Sequence, residues 1–218
     1  MEKKTDFRSL STKAKIDYVW DYYRWPFIII GAVIIVVATF AYEFASYEAP
    51  LLNVVMINCN KAVDTTAEGY YDFLDEISHP HSDSAVSLTS TLNFDENNLS
   101  TTMYDRQTLT TLLYAGDTDL FLGTGDVYLQ YVSQGVLSDL TKLLTPETLK
   151  AYEDSLLYCT DEETNETYPC AIELKDNKWV KKYNYYDSCY FGIPWRAPNT
   201  ELATEFAEYL LNYENKTD

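Results

Sequence analysis

From Trp25 to Tyr42 the chain runs for eighteen consecutive residues without a charge, most of them Ile, Val, Ala and Phe. At a rise of about 1.5 Å per residue such a run nearly crosses a hydrocarbon core about 30 Å thick, where only a helix satisfies its own backbone. The expectation is one transmembrane helix over 25–45, with Pro26 in its first turn, where a missing N–H costs nothing. Trp20, Tyr22, Tyr23 and Trp25 on one side, with Tyr42, Phe44 and Tyr47 on the other, read as interfacial belts.

The flanks set the expected orientation. Residues 1–24 hold six basic side chains (Lys3, Lys4, Arg8, Lys13, Lys15, Arg24), and residues 43–60 hold none. The positive-inside rule then puts segment 1–24 in the cytoplasm and residues 46–218 outside the membrane as one extracytoplasmic domain. The rival reading is a cleaved signal peptide, against which stand the length of the run and the lack of a clear small-x-small site after it. No cysteine precedes Cys59, so a lipid anchor directly after the run is excluded. Ile16, Val19, Trp20 and Tyr23 recur at helical spacing, either as an amphipathic turn on the inner membrane surface or as a continuation of the same helix.

Charge divides unevenly along the chain. After residue 24 there are 30 acids against ten bases, a net charge of −20. Such a surface repels nucleic acid and anionic headgroups, and its plain reading is a solvated, soluble face. All four cysteines (Cys59, Cys159, Cys170, Cys189) fall in the outer part, where disulfides persist. Cys159 and Cys170 bracket a polar hairpin or loop, so bridging them would leave Cys59 with Cys189; four buried thiols are the alternative. No C-x-x-C pair occurs, and the histidines sit together in His79-Pro80-His81, so no zinc site is expected.

The outer segment alternates strand and helix signals. Leu52–Asn58, Ser84–Phe94 and Asp119–Gly123 read as strands, and 66–77 and 101–114 read as the helices between them. Right-handed crossovers then give an α/β fold with a parallel sheet covered on both faces. Further on, 127–134 reads as a short helix, and Thr145-Pro146-Glu147 caps another that reaches about Leu156. Leu157–Phe191 is aromatic and strand-like, and Pro198-Asn199 introduces a last helix with Leu202, Phe206, Tyr209, Leu210 and Tyr213 on one face.

The stretch AGDTDLFLGTGDVYLQYVSQGVLSDLTKLL resembles the signature region of type II extracellular solute-binding proteins, the maltose-binding-protein family. NETYPCAIEL is similar to that family's strand crossing out of the first lobe, and FGIPWRAPNTELATEFAEYLL to its return strand and following helix. The resemblance implies a single-lobe, periplasmic-binding-protein-like domain with a mainly parallel sheet. The family places a whole second lobe between those two strands, whereas only seventeen residues separate Ile172 from Tyr190. That connection has room for a hairpin or short ribbon, and capture by hinge closure is not available to one lobe.

Ligands of open α/β sheets sit beyond the carboxyl ends of the strands. That rule nominates Asn58, Asn60, Gly123, Thr124, Gly125, Asp126 and Tyr168, with Trp195 and Arg196 nearby. The plain reading of Gly123–Asp126 is a strand-to-helix turn with Asp126 as the N-cap. Tyr183, Tyr185, Tyr186, Tyr190, Phe191 and Trp195 crowd into thirteen residues, as strand aromatics packing on a helix or as a contact patch. No nucleophile, phosphate-loop or zinc-protease motif occurs, so neither an enzyme nor a cofactor is expected. The partners expected are the membrane, an envelope protein, or a small solute or peptide. Two functions follow: a membrane-tethered interaction or scaffold module, or an accessory receptor holding a solute or peptide weakly in the half-groove.

Overall fold

The computed structural model describes residues 11–46, 48–60, 66–94, 99–161 and 164–213, in two compact units. Among the described residues of the first lies one helix, α1 (Thr12–Ser46), carrying an apolar stretch Arg24–Ala45 of which nothing is buried by protein. One open choice is decided and one expectation changes here. The helix begins at Thr12, so the residues before the apolar run continue it. Pro26 accordingly lies not in the first turn but inside the helix, where its missing N–H removes a backbone bond. Tyr47, assigned to the outer belt, lies outside the described residues.

The second unit, residues 49–218, is built on a six-stranded sheet. Its elements are β1 (Leu52–Ile57), α2 (Glu68–Glu76), β2 (Val86–Leu92), α3 (Leu99–Ala115), β3 (Leu120–Gly123), α4 (Gly125–Ser133), α5 (Pro146–Ala151), β4 (Leu156–Thr160), β5 (Thr167–Lys175), α6 (Lys178–Lys182), β6 (Ser188–Gly192) and α7 (Thr200–Asn212). The strand order is β2-β1-β3-β6-β5-β4. The first three strands are mutually parallel, as the alternation of strand and helix predicts. The other half is antiparallel: β6 runs against both β3 and β5, and β4 runs against β5. The sheet is therefore mixed.

Helices cover both faces. Val54 and Met56 of β1, with Leu120 and Leu122 of β3, point toward α2, α6 and α7, while Val55, Ile57 and Phe121 point toward α3 and α4. The central strands are buried on both sides, which explains why their sequences are apolar throughout instead of alternating. Around Phe206 the first layer is almost wholly aromatic, with Tyr70, Phe73, Trp179, Phe191 and Tyr209 at ring separations of 5.1 to 6.3 Å.

Local capping places the starts of α5, α6 and α7. The Thr145 hydroxyl accepts from Thr148 N–H ahead of Pro146, and the Asn199 side chain accepts from Leu202 N–H. The α5 helix stops at Ala151, short of the expected Leu156, because Leu156 already pairs with Ile172 as the first residue of β4. Within the expected strand region 157–191 there is also one helix, α6, whose cap is the Asn177 side chain accepting from Val180 N–H.

Cys159 and Cys170, on the paired strands β4 and β5, form a disulfide. Cys59 and Cys189 are both buried thiols, so the second bridge is not formed. Burial, with Cys59 nearby, pushes the Cys189 thiol far above its ordinary range, so it resists alkylation in the folded state. The bridge closes a loop of about twelve residues, and replacing both Cys159 and Cys170 by serine should lower stability by roughly 2–3 kcal/mol. An unchanged denaturation midpoint, or a non-reducing peptide map with both thiols alkylated, would contradict this.

Candidate functional site

The carboxyl ends of β1 and β3 lie side by side, with Ile57 opposite Gly123. Gly123 is demanded by packing: a Cβ there would fall 2.2 Å from Cγ1 of Ile57 and 3.1 Å from the Tyr128 ring. Gly123→Ala should therefore destabilise the domain by about 1–3 kcal/mol through overpacking, visible as a lower denaturant midpoint. A neutral effect would mean that β3 sits farther from β1.

Asn58 follows β1 in the left-handed region at φ 53°, a conformation asparagine tolerates better than most residues. Its N–H donates to Leu92 O, its Oδ1 accepts from Phe94 N–H at 2.8 Å, and its Nδ2 donates to Thr124 O at 3.3 Å. The side chain thus ties the ends of all three parallel strands together. Gly125, at φ +81°, opens α4, with Thr124 at the N-cap and Asp126 exposed in the first turn. Asp126 is consequently not the cap, contrary to the plain expectation.

These residues border a cavity of about 270 Å³ lined by Asn58, Phe94, Thr102, Arg106, Gly125, Asp126, Val127 and Gln130. Arg106 is held over it from α3: its guanidinium donates to Gln130 Oε1 at 2.6 Å and lies 5.7 Å from the Phe94 ring centroid. Sequence reading missed Arg106, Gln130, Thr102 and Phe94 as lining residues. The available signal was that Arg106 and Arg196 are the only arginines after residue 24.

The centre of the same edge is filled. The Tyr186 hydroxyl donates to Ile57 O at 2.9 Å, and Asn60 N–H and the Cys59 thiol both donate to Tyr185 O. The Tyr185 hydroxyl donates to Thr66 O, and its ring stacks between Tyr70 and Tyr183. Asn60 therefore binds the segment that carries Tyr185 and Tyr186, while Gly123 and Thr124 adjoin the cavity beside it.

Three nominated residues lie elsewhere. Because β6 is antiparallel to β3, the turn after Gly192 emerges at the amino end of β3, opposite Gly123. Trp195 and Arg196 sit in that turn, with Arg196 donating to Tyr114 O just before Gly116. Tyr168 is the second residue of β5, which runs with β3, and its hydroxyl reaches Leu137 O at 3.5 Å beside the Leu137–Pro194 bridge. These three do not join Asn58, Gly125 and Asp126.

The tyrosines of the filled edge carry a pH signature. Burial raises the hydroxyls of Tyr70, Tyr128, Tyr185 and Tyr186, and it also pushes Tyr183 up to about 12. A raised folded-state value favours the native state fully below the unfolded tyrosine value of about 10, and that advantage is lost as pH rises through the folded value. Absorbance titration should show these rings ionising late, in one cooperative step with unfolding. Smooth ionisation of all tyrosines near pH 10 would contradict their burial.

No family model, no curated protein and no solved structure matches this chain.

Proposed function

We propose that the chain is a membrane-tethered interaction or scaffold module whose outer domain is a solute-binding lobe reduced to a partner surface, with residues 1–24 cytoplasmic and the domain extracytoplasmic. The observation that carries this reading is the seating of Tyr185 and Tyr186 on the carboxyl ends of β1 and β3, where a lobe of that kind would hold its ligand. The segment between β5 and β6 is α6 and its turns, so a closing second lobe is lacking from that connection. Support for the orientation comes from the six basic residues before the apolar run and none in 43–60.

The test is thermal denaturation of the detergent-solubilised chain against sugars, amino acids and short peptides, paired with crosslinking in intact membranes. A ligand at one hundred times its Kd adds about 2.7 kcal/mol, an easily resolved shift. The expected outcome is no shift, with a stoichiometric crosslinked protein partner. A specific shift abolished by Arg106→Ala would replace this reading with the second one, a weak solute or peptide receptor. What favours that alternative is the polar cavity at Asn58, Arg106 and Asp126, although at about 270 Å³ it falls just below the usual ligand range of ~300–1,000 Å³.

Topology is tested separately. Protease added to intact cells should digest the chain after Ser46 and leave a tag beside Lys4 intact; the reverse pattern sinks the orientation.

A further inference from the structure

At the strand-amino edge of the domain, opposite the cavity, two large aromatic side chains are exposed: Trp195 at 50% and Tyr114 at 41%. They belong to one cluster. The Arg196 guanidinium lies 4.3 Å from the Trp195 ring centroid and donates through Nη1 to Tyr114 O at 3.0 Å. The backbone beneath is firmly held, since Trp195 N–H donates to Val136 O and Asn199 N–H donates to the buried Asp119 carboxylate. Asn199 Nδ2 also donates to Leu51 O, so the cluster shares its edge with the residue just before β1.

Only residues 47–51 separate Ser46, the last residue of the apolar helix, from Leu52. Five residues reach at most about 18 Å when fully extended. Only a short stretch of chain thus joins the edge that carries Leu51 to the end of α1. Tryptophan and tyrosine with an adjacent arginine suit the headgroup layer: the rings take the partly apolar depth, and the guanidinium, with donors beyond the one given to Tyr114, meets lipid phosphate.

We propose that Trp195, Tyr114 and Arg196 form a lipid-contacting rim that rests on the headgroup layer of the membrane holding the anchor, a reading that depends on the proposed anchor. The net charge of −20 after residue 24 excludes general attraction to anionic lipid, so the contact is made with zwitterionic headgroups through the rings. It should accordingly survive high salt.

The experiment uses the full chain in nanodiscs of dibrominated phosphatidylcholine, whose bromines quench nearby indoles. In a W20F/W25F variant the remaining indoles are Trp195 and the fully buried Trp179. Roughly half of the emission should be quenched relative to unbrominated discs, unchanged by added salt, and adding W195F should abolish the quenching. An unquenched W20F/W25F variant whose native parent is quenched through Trp20 and Trp25 overturns the rim while leaving the anchor standing. A native chain unquenched throughout sinks the anchor and the rim with it. Near-UV circular dichroism of each variant checks that Trp179 keeps its packed environment.

Discussion

Phe206→Ala should remove about 4 kcal/mol of stability and lower the melting temperature by roughly 10 °C. The ring is fully buried in the middle of α7 and meets Tyr70, Phe73, Trp179, Phe191 and Tyr209, which come from α2, α6, β6 and α7 itself. Truncation loses both the transfer free energy of the ring and the contacts of a cavity walled by five other rings, which are too rigid to collapse into it. Phe206→Leu keeps much of the volume and should cost only about 1–2 kcal/mol. Equilibrium denaturation of the solubilised chain measures both. A loss below about 1 kcal/mol for the alanine variant would show that the aromatic layer is not the core of this domain.

Asp119→Ala should cost about 3–4 kcal/mol, and Asp119→Asn should not rescue it. The carboxylate is fully buried at the start of β3. Its Oδ2 accepts from Asn53 N–H at 2.8 Å and from Asn53 Nδ2 at 3.3 Å, while Oδ1 accepts from Asn199 N–H at 2.6 Å. Alanine leaves these donors unsatisfied. Asparagine offers one oxygen and one NH₂, so whichever way it is turned a donor faces a donor. The measurement is again the denaturation midpoint; full stability of the asparagine variant would show that the two backbone donors find other acceptors.

The parts of the fold legible in the sequence are those decided locally. The β1 and β3 strands announce themselves as short apolar runs because burial on both faces removes any need for polar alternation. The α7 helix is readable from Asn199 and its apolar stripe, since cap and stripe lie within one segment. The α6 helix was not, because five residues are too few to show a period and Trp179 and Tyr183 resemble strand aromatics. Strand order was also hidden. Nothing in residues 188–192 states that they enter between β3 and β5 in the antiparallel sense, and that placement decides where the following turn emerges. For this reason Asn58, Gly125 and Asp126, which follow parallel strands, come together, while Trp195 and Arg196, which follow the antiparallel one, appear at the far edge. Arg106 escaped notice because it reaches the cavity from α3, an element judged only by the face that packs inward.

The position of β6 bears on how the domain is made. Among the described strands it is the sixth in chain order, yet it is fourth of six in the sheet, with the β1–β3 half on one side and the β5–β4 hairpin on the other. Until residues 188–192 arrive, the two halves have no shared hydrogen bonds between strands, and until α7 follows, the aromatic layer has no floor. A nascent chain stalled before Ser188 would hold a three-stranded parallel sheet with a bare edge and exposed rings, the kind of surface that aggregates or draws chaperones. Joining of the two halves therefore waits on delivery of β6 and α7, residues 188–212, rather than growing strand by strand behind the ribosome.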